Sequence, residues 1–221
     1  MTQTATVPKL TTLTGCIICG KPPQELLDLG NHYLTDFLDH PDANHPKAPL
    51  KLMLCADCGL TQLHQVVDRD ALFRNYHYLS GVNATVREHL GKLAAELNHR
   101  AKVFKGEFVL DIGANDGEFL SHFPWESRIG FEPAKNLNGA YEKKGAYFSA
   151  NAYFTLTSDK PKAIASCAMF YDLLNPTEFA QDVAQVLAPD GLWVCEMNYL
   201  GSMLQKNAYD FIGHEHVAEY S

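Results

Sequence analysis

Four of the six cysteines fall in two pairs of one form, Cys16-Ile17-Ile18-Cys19-Gly20 and Cys55-Ala56-Asp57-Cys58-Gly59. Two residues between cysteines let the backbone turn so that both sulfurs reach one metal. The following glycine relieves crowding where amides swing toward the thiolates. Cys16, Cys19, Cys55 and Cys58 therefore read as a closed tetrahedral Zn2+ site with no open position, structural in role, whose binding energy becomes folding energy for a small module. The alternative, a pair of disulfides, needs an oxidising compartment, and the Thr-rich stretch from Met1 to Gly15 has no apolar leader segment. Cys167 and Cys195 sit inside apolar runs expected to be strands, where cysteine is usually buried and inert.

A second constellation is Phe108-Val109-Leu110-Asp111-Ile112-Gly113-Ala114-Asn115-Asp116-Gly117, an apolar strand, an acid, then a glycine turn opening into a helix. A doubly wound sheet binds nucleotides at this place, the carboxyl end of its first strand. The dinucleotide fingerprint G-x-G-x-x-G fails, because Asn115 and Glu118 stand where its second and third glycines belong, and no P-loop is present. The remaining ligand with adenosine but no phosphate is S-adenosylmethionine. Gly113 would let the backbone lie against its methionine portion, Asp111 would act through amide or ammonium contacts there, and Asn115, Asp116 and Gly117 complete the turn. Glu132, in Gly130-Phe131-Glu132-Pro133, ends the next expected strand, where an acid can accept both ribose hydroxyls.

A third group is Gly213-His214-Glu215-His216, two imidazoles and a carboxylate within three positions. Imidazole has an ordinary pKa of about 6.5, suited to moving protons near neutral pH. On an extended segment the two histidines share a face, but a metal would need a third ligand that nothing signals. A solvated loop is the ordinary alternative.

The elements that must hold these residues are legible in part. From Asp70 to Ala101 apolar residues recur at helical spacing, with Val86, Leu90, Leu93, Ala94 and Leu97 on one stripe. After residue 106 short apolar runs alternate with helical patterns, the signature of a parallel sheet covered on both faces. Strands are expected near Phe108–Ile112, Arg128–Phe131, Ala146–Ser149, Ala163–Ala168 and Leu192–Met197. Helices are expected near Gly117–His122, Ala134–Lys143, Thr177–Leu187 and Leu200–Gln205. The expected division is a zinc-binding domain at 1–68, a helical connector at 69–105 and an α/β, doubly wound Rossmann-like domain at 106–221. The chain has 221 residues, 46% hydrophobic and 20% charged, with a net charge of −8. That acidity argues against nucleic acid, whose binding needs Lys/Arg clusters, and no run reaches the length of a membrane span. A cytoplasmic protein acting on a small molecule is expected.

The two CxxCG knuckles, Leu72-Phe73-Arg74-Asn75-Tyr76-His77-Tyr78-Leu79-Ser80, the Asp111–Gly117 motif, Gly130-Phe131-Glu132-Pro133-Ala134-Lys135-Asn136 and Asp210-Phe211-Ile212-Gly213-His214-Glu215-His216 occur in this order. Together they resemble the nucleotide-sugar C-methyltransferase family, whose members make branched deoxysugars. The resemblance implies a zinc module, then a class I S-adenosylmethionine-dependent methyltransferase domain, then a further C-terminal domain. Against that pattern the domain at 106–221 reads as truncated at its C-terminal end. The resemblance also implies that a keto group stabilises an enolate once a base takes the neighbouring proton. His216 would be that base, with Glu215 orienting or polarising the site, His214 beside them and Tyr76 near the enolate oxygen. Tyr78 and Ser80 would lie by the cofactor, and the substrate would be a nucleotide-linked keto sugar. Two positions depart from the pattern: Asp172 stands where the family has histidine, and Gly213 where it often has tyrosine. Competing readings are an O- or N-methyltransferase for another metabolite and a non-catalytic cofactor-binding scaffold.

Overall fold

The computed structural model describes residues 8–34 and 45–221, so the start of the Thr-rich N-terminal stretch lies outside the described residues. They form two compact units. The first begins with β1 (Leu10–Thr12), β2 (Gln24–Tyr33), β3 (Lys47–Leu54), β4 (Thr61–Leu63), β5 (Gln65–Val67) and the short α1 (Arg69–Phe73). β3 shows why strands form here: Ala48, Leu50 and Leu52 are buried while their neighbours are more exposed, the period of a strand with one face inward. Leu50 and Leu52 pack with Leu63, Val66 and Val217. None of these strands was among the sequence expectations, although the Ala48-Leu50-Leu52 alternation carried the signal.

The second unit holds α2 (Ala84–Ala101), β6 (Val109–Ile112), β7 (Arg128–Phe131), β8 (Glu142–Lys144), α3 (Ala150–Phe154), β9 (Ala163–Cys167) and β10 (Leu192–Glu196), with most of α4 (Pro176–Val186). Its five strands are parallel in the order β10-β9-β6-β7-β8. The chain order reverses between β6 and β9, which makes that gap the switch point where an open α/β sheet binds its ligand. α2 is part of this core rather than a connector: Leu90, Ala94, Leu97 and Ala101 form its inward stripe and pack with Val109, Ala163 and Ala165. Each fully buried leucine contributes about 1.5–3 kcal/mol. The helix starts at Asn83, whose side chain accepts the Thr85 amide at 2.9 Å, and stops at the left-handed Lys102.

Three expected elements differ. The strand expected at Ala146–Ser149 is instead β8, and Ser149 caps α3 by accepting the Ala152 amide at 3.1 Å. No helix forms over Ala134–Lys143. Its polar groups find other partners: Glu132 takes the Ala134 amide, Asn136 takes and gives bonds to the Tyr76 backbone, and Lys143 Nζ binds the Ala134 and Leu137 carbonyls. Over Gly117–His122 only a 3-10 turn at Leu120–His122 appears, with Pro124 following directly on its C-cap.

The chain then returns to the first unit with α5 (Leu200–Lys206) and β11 (Ala218–Glu219). β11 completes the antiparallel sheet β11-β4-β3-β2. The units therefore run differently from the expected division, because Tyr171–Pro176 and Asn198–Ser221 group with the N-terminal residues. Among the described residues no helix is long and apolar enough to cross a membrane.

Gly130 of β7 tests the packing. A Cβ there would run into the ring of Tyr141 and come within 2.9 Å of the Ala114 Cβ. Tyr141 is held in place because its hydroxyl donates to the Asn115 carbonyl at 2.8 Å. Gly130→Ala is expected to cost about 1–3 kcal/mol, read as a lower urea midpoint with an unchanged slope.

Candidate functional site

The four cysteines converge. Sγ of Cys16 lies 3.5 Å from that of Cys58 and Sγ of Cys19 lies 3.4 Å from that of Cys55, with all four within 4.8 Å of one another. Sulfurs about 2.3 Å from a tetrahedral zinc stand about 3.8 Å apart, so the set fits the metal. The knuckles repeat one another bond for bond. Gly20 and Gly59, both at positive φ, donate to the Cys16 and Cys55 carbonyls at 2.9 and 2.8 Å, and the Cys16 and Cys55 amides donate to Lys21 and Leu60.

This module holds the histidine stretch. Cys16 and Cys55 cluster with Leu60 and Ala218, and Tyr220 packs against them. Gln62 of β4, fully buried, accepts the Ile17 amide at 2.9 Å and donates to the Gly15 carbonyl at 3.2 Å. The same strand pairs with β11, and the Leu63 amide donates to the Val217 carbonyl at 2.8 Å. His214 is 3% exposed and its Nε2–H donates to the Ala48 carbonyl at 3.0 Å, so it pins the loop to β3. Burial lowers its pKa from 6.5.

His216 is placed differently. Its Nδ1–H donates to the Phe211 carbonyl, its ring stacks on Phe211 at 4.5 Å and 17°, and it meets Tyr171 edge-on at 4.6 Å. That bond assigns the neutral tautomer with the lone pair on Nε2. Burial pulls its pKa below 6.5, partly offset by the Phe211 carbonyl. Burial, then the charges of Glu215 and Glu219, push Asp172 well above the carboxylate range, and burial pushes Glu219 up to about 7.

In the second unit a cavity of about 190 Å³ opens at the switch point. Asp111, Gly113 and Asn115 line it with Tyr78 and Ser80, five of the residues that the sequence offered for the cofactor. His89, Glu118, Cys167, Ala168 and Glu196 line it as well. These were not expected: His89 sits beside the apolar stripe of α2, and Glu196 reads as the end of an apolar strand. The signal for Glu196 was an acid at the carboxyl end of a parallel strand.

Asp116, Gly117 and Glu132 are not among the lining residues. Glu132 is 5% exposed, with one oxygen accepting the Asn115 amide at 2.9 Å and the other the Ala134 amide at 2.7 Å. Asn115 accepts the Ser80 and Asp116 amides and donates to the Tyr78 carbonyl, while Asp116 accepts from Gly81 at 2.8 Å. These side chains fasten the turn to the segment that carries Tyr78 and Ser80.

The turn's own amides are all engaged. Gly113 and Ala114 donate to the Phe131 carbonyl, Asn115 to Glu132, Asp116 to Asn115, Gly117 to the Ala114 carbonyl and Glu118 to Asp116. A pyrophosphate would find no backbone donors here. Asp111 presents the opposite case: it is buried, and its Oδ1 has no hydrogen-bond partner among the described residues. Burial, then the Glu132 charge, push its carboxyl up to about 8. A buried acid with one oxygen unpaired, beside a glycine at φ 79 whose added Cβ would meet Met169 at 3.2 Å, fits the ammonium end of S-adenosylmethionine.

Two domain models of known families match the chain. A zinc binding domain model of methyltransferases matches residues 16–73, and a methyltransferase domain model matches residues 68–221. The C-methyltransferase NovU of Streptomyces niveus is 29% identical over 219 residues, covering 93% of this chain and 52% of its own length. The chain thus spans about half the length of the curated relative it matches. Two solved structures of the plantazolicin methyltransferase BpumL with SAH, at 16% identity, give TM-scores of 0.44 and 0.45. The first covers 55% of this chain and 51% of that one, the second 60% and 59%.

Two outcomes follow from the geometry. Protein prepared without added metal is expected to carry one zinc per chain by elemental analysis. Cys55→Ser should lose it, and hydrogen exchange should then speed up at Val217–Glu219 because β11 is fastened to β4. For Asp111, a folded pKa of about 8 against an ordinary 3.8 means the folded state binds the extra proton between those values. Its contribution to stability is present at low pH and lost as pH rises toward 8. Asp111→Asn should therefore melt above the wild type at pH 8 and near it at pH 4, while binding S-adenosylmethionine more weakly by calorimetry. An equal melting difference at both pH values would count against a protonated Asp111.

Proposed function

We propose, for a chain that belongs to the methyltransferase family through its domain at residues 68–221, that it moves the methyl group of S-adenosylmethionine to a carbon beside a keto group on a nucleotide-linked sugar. The observation that carries this reading is the state of His216, a neutral imidazole with Nδ1–H committed to Phe211 and Nε2 left as the basic atom. Carbon has no lone pair to offer, so a carbon acceptor needs a base to remove its proton, whereas many oxygen and nitrogen acceptors do not. Likeness to a protein named as a C-methyltransferase supports the same choice. S-adenosylmethionine, when bound, supplies an electrophilic methyl on sulfur.

His216 takes the α-proton at Nε2, and the ring's stacking on Phe211 fixes the direction of that lone pair. His214 is set aside as base because it is buried and pins its loop to β3. Glu215 and Tyr76 keep the orienting and oxygen-stabilising roles that the family resemblance gives them. A cavity of about 220 Å³ in the first unit supports a sugar acceptor. Asn198, Ser202, Lys206 and Asp210 give it polar walls, and Phe211, the ring under His216, forms part of its lining.

His216→Asn keeps size and polarity but removes the titrating nitrogen. Turnover on a nucleotide-4-keto sugar is expected to fall by about 10²–10⁴-fold, with cofactor affinity unchanged. The sign of the pH dependence follows from the lowered pKa: wild-type activity should hold as pH falls to 6.5 and decline only below it, as the imidazole protonates. The variant should lack that acid limb. Wild-type-like turnover and α-proton exchange in His216→Asn would assign the base elsewhere.

A further inference from the structure

We infer that His89, fixed by Glu196, receives the carboxylate of the cofactor's methionine portion, an inference that rests on S-adenosylmethionine as the cofactor. The methionine portion carries an ammonium and a carboxylate, and the cavity treats them unequally. Asp111, Glu118 and Glu196 line it, three carboxyl groups that suit the ammonium and the sulfonium. The carboxylate needs donors in that acidic setting. The backbone amides of the turn are not available, because Gly113 through Glu118 donate within the protein, as do Ser80 to Asn115 and Gly81 to Asp116. Among the lining residues His89 is the one side chain able to carry positive charge.

The geometry gives His89 a fixed place. Its Nε2 lies 2.5 Å from Oε2 of Glu196, so a residue of α2 is tied to the carboxyl end of β10, 107 positions away in sequence. With Nε2 engaged by Glu196, Nδ1 is the ring nitrogen left for a ligand. Protonated, the ring gives one N–H to Glu196 and has the second, Nδ1–H, for a ligand carboxylate. A charged donor to a carboxylate is about twice as strong as a neutral one such as the Tyr78 or Ser80 hydroxyl. The His89 side chain is 55% exposed, so replacing it removes little packing.

The test compares two ligands by calorimetry: S-adenosylhomocysteine, and its decarboxylated form S-adenosyl-3-thiopropylamine, which keeps the amine. Wild type is expected to prefer the first by about tenfold or more, the scale of a hydrogen bond to a charged group. In His89→Ala that preference should collapse through loss of S-adenosylhomocysteine affinity, with the decarboxylated ligand bound as before. His89→Lys should restore part of the preference, and Glu196→Gln, which keeps the shape of the pair, should reduce it. Equal loss of both ligands in His89→Ala, or no loss of either, overturns the inference and leaves His89–Glu196 as a brace between α2 and β10. Wild type binding both ligands equally overturns the carboxylate contact alone. Wild type binding neither overturns the cofactor reading and this inference with it.

Discussion

The turn after β6 is the constraint on which the cofactor unit depends. Its amides are spent inward because Glu132, at the end of β7, offers buried carboxylate oxygens to Asn115 and Ala134, and because Asn115 and Asp116 turn their own side chains onto neighbouring amides. A turn wired this way cannot cradle a phosphate, which requires free N–H groups pointing at the ligand. Recognition passes to side chains at the strand tips, and the fold places acids there. The same wiring orders residues 78–81, since Asn115 and Asp116 bind the backbone of Tyr78, Ser80 and Gly81. Loss of one buried acceptor would thus unsettle the turn and a cavity wall together.

Asp111 shows what this arrangement costs. A buried carboxyl with one oxygen left without a hydrogen-bond partner is expensive to charge, and its pKa rises until it stays protonated near neutral pH. A group so placed adds nothing to the stability of the cofactor-free fold at pH 8. Its persistence in the centre of a packed parallel sheet makes sense at a site that is completed by a cation, the condition in which perturbed groups mark function.

In the other unit the metal site and the histidine stretch are one construction. Four sulfurs fix two knuckles, Gln62 ties the first knuckle to β4, and β4 carries β11 and the loop before it. His214 then anchors to β3 while His216 keeps Nε2 free of the backbone. The two imidazoles are thereby held differently, one to β3 through Nε2 and the other to Phe211 through Nδ1.

The sequence alone determined what local chemistry can encode. CxxCG spacing is a short-range geometric requirement, and it specified the four sulfurs that converge. An apolar run ending in Asp111 and a glycine turn specified β6 and the sheet's ligand end, and the failed glycine pattern at Asn115 and Glu118 excluded a dinucleotide. The α2 stripe was legible from its period, but not that it packs into the sheet's core, since periodicity gives a buried face and not its partner. Tertiary structure decided the rest, because it depends on groups far apart in the chain. Asn136 and Lys143 bind backbone elsewhere instead of closing a helix. Residues 198–221 return to the zinc module because β4 leaves an open edge for β11. His89 and Glu196 meet only because α2 packs on the sheet beside β10. Glu132 could be placed at the end of its strand from sequence, yet whether its oxygens face a ligand or the protein's own amides is settled only when the turn folds over it.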